Sequence, residues 1–244
     1  MKKILSIGQT AELLACSVDT LRRWDKNSRF PSFRRNRETG SHRWYNLNEV
    51  EEFSKTLDGF RLAKKWSADK KGFEPLAVYY CQNSAIFLAR ITKMGELMMQ
   101  NKDSRDLFSL LVSAAGEIGN NSYDHNLGQW PDIPGIFFGY DLNKKQIVLA
   151  DRGVGILETL KRVRPNLKNH KEALETAFTE VISGREPEAR GNGLKYVKKI
   201  ISENPINLFF RTGDARLALN GNSSNLNMEN VKENIRGCLA LISY

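Results

Sequence analysis

Three separated segments of this 244-residue chain combine residue types suited to phosphate chemistry. The first is Glu117-Ile118-Gly119-Asn120-Asn121-Ser122-Tyr123-Asp124-His125. Positions 117, 121 and 125 are four apart, so on a helix they share one stripe. An amide oxygen there can ligate Mg2+, a hard cation that takes oxygen ligands alongside substrate phosphates. A carboxylate one turn away can orient or deprotonate an attacking water or hydroxyl. The plain alternative is a polar helix face on the surface. The second segment is Leu149-Ala150-Asp151-Arg152-Gly153-Val154-Gly155-Ile156. An acid at a strand end followed by alternate glycines lets the backbone approach a ligand closely, or simply makes a turn. The third runs from Gly184 to Leu194 and contains Arg190-Gly191-Asn192-Gly193 ahead of a helix opening at Lys195. Free amides and the positive dipole end at such a helix start favour phosphate. No G-K-[ST] follows, so this is not a Walker loop.

Hydropathy periodicity supplies the elements that must position these residues. Helices are expected over 85–99, 103–124, 156–165, 171–182 and 193–202, with strands over 77–81, 135–140, 146–150, 206–211, 215–219 and 238–243. Helices segregated from mainly antiparallel hairpins indicate an α+β sandwich. His170 reads as a solvated loop residue, and Trp130 to Pro134 as a rigid turn.

The first fifty-odd residues have a different pattern. Ser6 can cap a short helix carrying Ala11 and Leu14, and Ser17 a second from Val18 to Trp24. Two short helices joined by a tight turn make a helix-turn-helix, whose second helix offers Thr20, Arg22 and Arg23 to a major groove. Arg35, Arg37, His42, Arg43 and Tyr45 follow around the turn residue Gly40, as a basic β-wing with aromatic residues at its base. A third helix is expected over Leu47–Phe53, capped by Asn46.

Charge placement agrees with a phosphate-bearing partner. The formal charge is +9; residues 1–75 hold 16 basic and 10 acidic groups, and residues 76–244 hold 21 and 18. Neutralising phosphates releases counterions, so a basic N-terminal third suits double-stranded DNA, although a merely soluble surface fits the total equally. At 41% hydrophobic residues the chain can pack a core. It has no apolar run long enough to span a bilayer, so no membrane association is expected, nor is a secretory leader. Cys16, Cys81 and Cys238 lie far apart with no C-x-x-C spacing, which favours a reducing cytoplasm over a disulfide framework.

On Ser6-Ile7-Gly8, Ala11-Glu12-Leu13-Leu14, Ser17-Val18, Thr20-Leu21-Arg22-Arg23-Trp24-Asp25 and His42-Arg43-Trp44-Tyr45, residues 3–55 resemble the MerR-type winged helix-turn-helix, in its short excisionase-like and recombinase-like versions. The long dimerisation helix of the MerR sensors has no counterpart, because 56–75 is short and basic. That stretch reads as a helix end followed by a charged linker, anchored by Trp66.

The order and spacing of the three later segments resemble the Bergerat or GHKL fold. This is the ATP-binding domain shared by DNA gyrase, MutL, bacterial histidine kinases and anti-sigma-factor serine kinases. The resemblance covers about 105–243 and implies an α/β sandwich, a mainly antiparallel sheet with helices on one face. It implies Asn121 as the Mg2+ ligand, Glu117 as the catalytic carboxylate and Asp151 as acceptor from the adenine amino group. Gly153 and Gly155 would lie beneath the base, and Gly191, Asn192 and Gly193 would contact phosphates, flanked by Arg190 and Leu194. His125 would either touch a phosphate or serve as a structural hydrogen-bonder. Residues from about 157 to 190 would form a lid. Gly237-Cys238 stands where many members have Gly-Thr, which removes one water-mediated adenine contact.

The expected organisation is therefore a DNA reader (1–55), a basic linker (56–75) and a nucleotide domain (76–244). The expected function is an ATP-dependent DNA-binding regulator with ATP and Mg2+ as ligands, acting alone, as a homodimer or with a protein partner. The rival is a protein serine kinase placed on DNA by its N-terminal part. A gyrase- or MutL-like remodelling ATPase would need a transducer domain after the nucleotide site.

Overall fold

The computed structural model describes residues 3–34, 41–180 and 193–244. Strand β1 (Ile4–Ser6) pairs antiparallel with β2 (Trp44–Asn46), placing Leu5 opposite Tyr45. Ser6 ends β1 and opens helix α1 (Ile7–Leu13) through a capping box, exchanging hydrogen bonds with Gln9. Ala15 then takes a left-handed turn at φ 51°, and Ser17 caps helix α2 (Val18–Lys26) through the Thr20 N–H. Asn46 caps α3 (Leu47–Ser54) in the same way. One apolar centre serves these elements: Leu5, Leu14, Leu21, Trp24, Phe30, Tyr45 and Val50. Phe30 stacks on Tyr45, with centroids 5.1 Å apart.

Helix α4 (Gly59–Ala68), capped by Asp58, leads to the second part. There follow β3 (Tyr80–Cys81), α5 (Ser84–Gln100), α6 (Phe108–Asn126), β4 (Ile136–Asp141), β5 (Gln146–Asp151), α7 (Gly155–Lys161), α8 (His170–Thr179), α9 (Gly193–Glu203), β6 (Asn207–Leu219) and β7 (Asn227–Ser243). Five strands form one antiparallel sheet in the order β3-β4-β5-β7-β6. No helix among the described residues is long and apolar enough to cross a membrane.

Both faces of this sheet are covered, which corrects the expectation of helices on one face. Side chains alternate along β5: Ile147 and Leu149 join the core beneath α5, α6, α8 and α9, while Val148 and Ala150 face α4. Leu62, Ala63 and Trp66 of α4 pack there with Phe137 and Leu239. The stretch read as a helix end and a charged linker anchored by Trp66 forms a docked amphipathic helix from Gly59 to Ala68. Its apolar residues are spaced for one face, with lysines between them.

Two further boundaries shift. Strands expected at 206–211 and 215–219 are one strand, β6, irregular between Thr212 and Ala215. Its partner β7 begins at Asn227, well before 238. Residues 227–234 of β7 are largely exposed and polar, so the backbone ladder extends where no hydrophobic alternation advertises it.

Candidate functional site

Helix α6 buries Leu111, Ala114, Ala115 and Ile118 and leaves Glu117 and Asn121 half-exposed on a neighbouring stripe. The fit is closest at Gly119, where an added Cβ would lie 2.2 Å from the Phe87 ring of α5. Glycine lets the two helices approach at this level, so the height of Glu117 and Asn121 is set by packing one residue pair away.

One turn further along α6, Ser122 Oγ donates to Asp151 Oδ2 at 2.8 Å. Asp151 ends β5 and is 2% exposed. Its Oδ1 accepts the Gly153 N–H at 2.8 Å. Burial pushes the carboxyl up to about 6, against the hydrogen bonds from Gly153, Ser122 and the Cys238 backbone that favour the anion. A carboxylate offers about four acceptor positions, so three donors leave room for one more N–H. The turn after Asp151 is held by Asn126, whose Oδ1 accepts the Val154 N–H at 2.8 Å and whose Nδ2 donates to the Ser122 carbonyl at 2.7 Å. Gly153 is pressed against this amide, where a Cβ would meet it at 2.1 Å. Gly155, at φ 78°, opens α7 beside Thr212, whose Oγ1 accepts the Ile156 N–H at 3.2 Å and donates to the Gly237 carbonyl at 3.1 Å. Neither Asn126 nor Thr212 was singled out from sequence. Asn126 lies one residue past the 117–121–125 stripe, and Thr212 becomes a neighbour only by strand pairing.

Of the third segment, only Gly193 and Leu194 lie among the described residues. A Cβ on Gly193, the first residue of α9, would sit 2.6 Å from Glu117 Oε2 and 3.1 Å from Asn121 Nδ2. Leu194 packs against the main core. Arg190, Gly191 and Asn192 lie outside the described residues. His125 is exposed in the last turn of α6. Glu117 and Asn121 supply hard oxygen donors that suit Mg2+, but among the described residues no group of three His, Cys, Asp or Glu side chains could hold a metal alone. The donor set fits a cation that takes its remaining ligands from phosphate and water.

On the N-terminal part, Thr20 and Arg23 lie on the outer side of α2, and Arg22 pairs with Asp19 at 2.8 Å. Arg23 is exposed and has no ion pair among the described residues. His42 is exposed, and Arg35 and Arg37 lie outside the described residues. Two expected contacts change character. Tyr45 is fully buried in the small core, so it supports the fold instead of meeting a partner. Arg43 donates to Asp25 at 2.7 Å. Burial opposes ionisation of Asp25, but the Ser32 N–H and Arg43 hold its carboxyl below the usual range. An open groove of about 710 Å³ between α1, α4 and β7 is lined by Arg61, Lys64, Lys65, Lys70 and Lys71 together with the acidic Glu12, Asp69 and Glu233.

Compared with known proteins, the chain matches no family model and no curated sequence.

Proposed function

We propose that this chain is an ATP-dependent DNA-binding regulator, in which a GHKL-type nucleotide domain modulates a MerR-like winged helix-turn-helix. The observation that carries this reading is the convergence of three distant segments. Ser122 bonds Asp151, and Gly193 lies against Glu117 and Asn121. Residue types suited to base recognition, metal ligation and water activation thereby meet along helix α6. The supporting feature on the other part is the capped α1–turn–α2 unit, with Arg22 and Arg23 outward and its core residues inward.

In this reading Asp151 accepts the adenine amino group, being held as an acceptor by donors on its other sides. Asn121 would hold Mg2+, which when bound neutralises phosphate charge. Glu117 orients the attacking water and takes its proton. Gly193 leaves room for both side chains at the start of α9, whose amides face the phosphate region. Arg22 and Arg23 meet the DNA groove and backbone.

Incubation of the purified protein with γ-labelled ATP, with phosphate release and protein labelling followed separately, tests the reading together with duplex titration. Free phosphate and duplex binding are expected. Label transferred to another protein would favour the serine-kinase alternative, and absence of ATP binding would overturn both.

A further inference from the structure

Arg152 stands between Asp151 and Gly153, yet its side chain serves the opposite face of the sheet. It is 0% exposed. Nη1 donates to the Trp66 carbonyl, Nη2 to the Asp69 carbonyl at 2.7 Å, and Nε and Nη2 to the Asp132 carboxylate, the nearest contact being 2.7 Å. The guanidinium also lies 5.9 Å from the Trp66 ring centre. Trp66 and Asp69 are the end of α4. A helix leaves its last carbonyls without intrahelical partners, and its C-terminus favours a cation. Arg152 therefore finishes α4 from within the segment that carries Asp151.

The other end of α4 touches the N-terminal part. Arg61 Nη2 donates to the Ala15 carbonyl at 3.2 Å, in the turn that launches α2. Ten helical residues extend about 15 Å. From Asp151 through Arg152, along α4, to the start of α2 there is thus a continuous chain of bonded contacts. A second tie fastens α4 to the sheet without Arg152: Lys64 pairs with Glu233 at 3.0 Å, which Arg211 also holds at 3.0 Å.

We infer that Arg152 is the positioning residue through which nucleotide at Asp151 alters the DNA reader, by setting the seat of α4. This rests on the function proposed above and specifies how its two halves communicate. A buried guanidinium cannot give up its carbonyl and carboxylate partners singly without leaving polar groups unpaired. A displacement of the 151–153 backbone must therefore either move the end of α4 or be resisted by it. Lysine cannot reproduce the contact set, because one ammonium does not span two carbonyls and a carboxylate in a planar fork.

The experiment titrates a labelled duplex against wild type, Arg152→Lys, Arg152→Gln and Glu233→Gln, with and without a saturating non-hydrolysable ATP analogue. Analogue and duplex affinities are also measured singly. Wild type and Glu233→Gln should show a nucleotide-dependent change in DNA affinity of about 5- to 150-fold. Both Arg152 variants should lose most of that ratio while retaining each affinity in isolation. A role confined to stability would lower the melting temperature and leave the ratio intact. Coupling that persists in Arg152→Gln, or is missing in wild type, overturns the inference while leaving the separate sites standing. Failure of wild type to bind analogue or duplex at all appears in the single titrations and removes the underlying function first. Should the Arg152 variants not fold, hydrogen exchange on wild type decides: added analogue should change protection of the amides at 64–69, and unchanged protection overturns the inference.

Discussion

Ser122 Oγ and Asp151 Oδ2, 29 positions apart in sequence, lie 2.8 Å apart and join α6 to the end of β5. The bond fixes one oxygen of a buried carboxylate while the Gly153 N–H fixes the other. Every described partner of Asp151 can donate, so the group is arranged to accept.

That arrangement has a pH signature. The Asp151 carboxyl is pushed up to about 6 from an ordinary 3.8, so the folded chain holds this proton more tightly than the unfolded chain. The group favours folding at acid pH and increasingly opposes it as pH rises between those values. Acceptance from an adenine amino group needs the anion. ATP affinity should therefore be constant above about pH 7 and fall about tenfold per pH unit well below 6. Asp151→Asn should weaken ATP more than GTP and flatten this profile. Calorimetry across pH 5–8 checks both; a flat wild-type profile removes the base-recognition role.

Glu117→Ala should keep ATP binding and abolish hydrolysis, because the carboxylate lies beside Gly193, whereas Asp151 is held by Gly153, Ser122 and the Cys238 backbone. Loss of a general base lowers turnover on the order of 100- to 10,000-fold. Single-turnover phosphate release, compared with analogue affinity, separates the two effects.

Two glycine substitutions on this helix pair should diverge. Gly193→Ala pushes only the ends of two side chains, Glu117 and Asn121, so it should impair turnover while changing stability by less than about 0.5 kcal/mol. Gly119→Ala drives a methyl into the buried Phe87 ring and should destabilise the fold by about 1–3 kcal/mol. Urea denaturation beside an activity assay resolves them, and equal stability losses would contradict the packing described.

The arginines of the N-terminal part should also separate. Arg23→Ala removes an exposed cation with no ion pair among the described residues and should reduce the salt slope of duplex binding by about one unit. Arg43→Ala instead leaves the half-buried Asp25 without its guanidinium and should cost about 1–2 kcal/mol of stability. Since Asp25 is held below its ordinary value, its contribution is present at neutral pH and declines as pH falls through the acid carboxylate range. Thermal melts at pH 7 and pH 3 should show the Arg43→Ala penalty shrinking at the lower pH; a constant penalty would mean that packing, not charge, is lost.

Local rules were sufficient for much of this molecule. Ser6, Ser17 and Asn46 announce their helices because a side-chain oxygen must meet free N–H groups. Strands β4 and β5 were legible as short continuous apolar runs, because a sheet covered on two faces needs apolar residues throughout. Glu117 and Asn121 share a stripe by the helical period alone. Other features depend on partners remote in sequence. Tyr45 looks like a surface aromatic on a basic wing until Phe30 and Leu14 enclose it. The tail of β7 is polar and pairs through its backbone, and α4 hides its apolar face among lysines. Arg152 had no pattern at all: five donors can be satisfied inside a protein only by groups that folding assembles, here Trp66, Asp69 and Asp132. Sequence determined the segments able to do chemistry, because residue type and period are local properties. Tertiary structure decided which of them meet and which helix they hold, because burial and hydrogen-bond satisfaction are settled only when distant strands and helices close on one another.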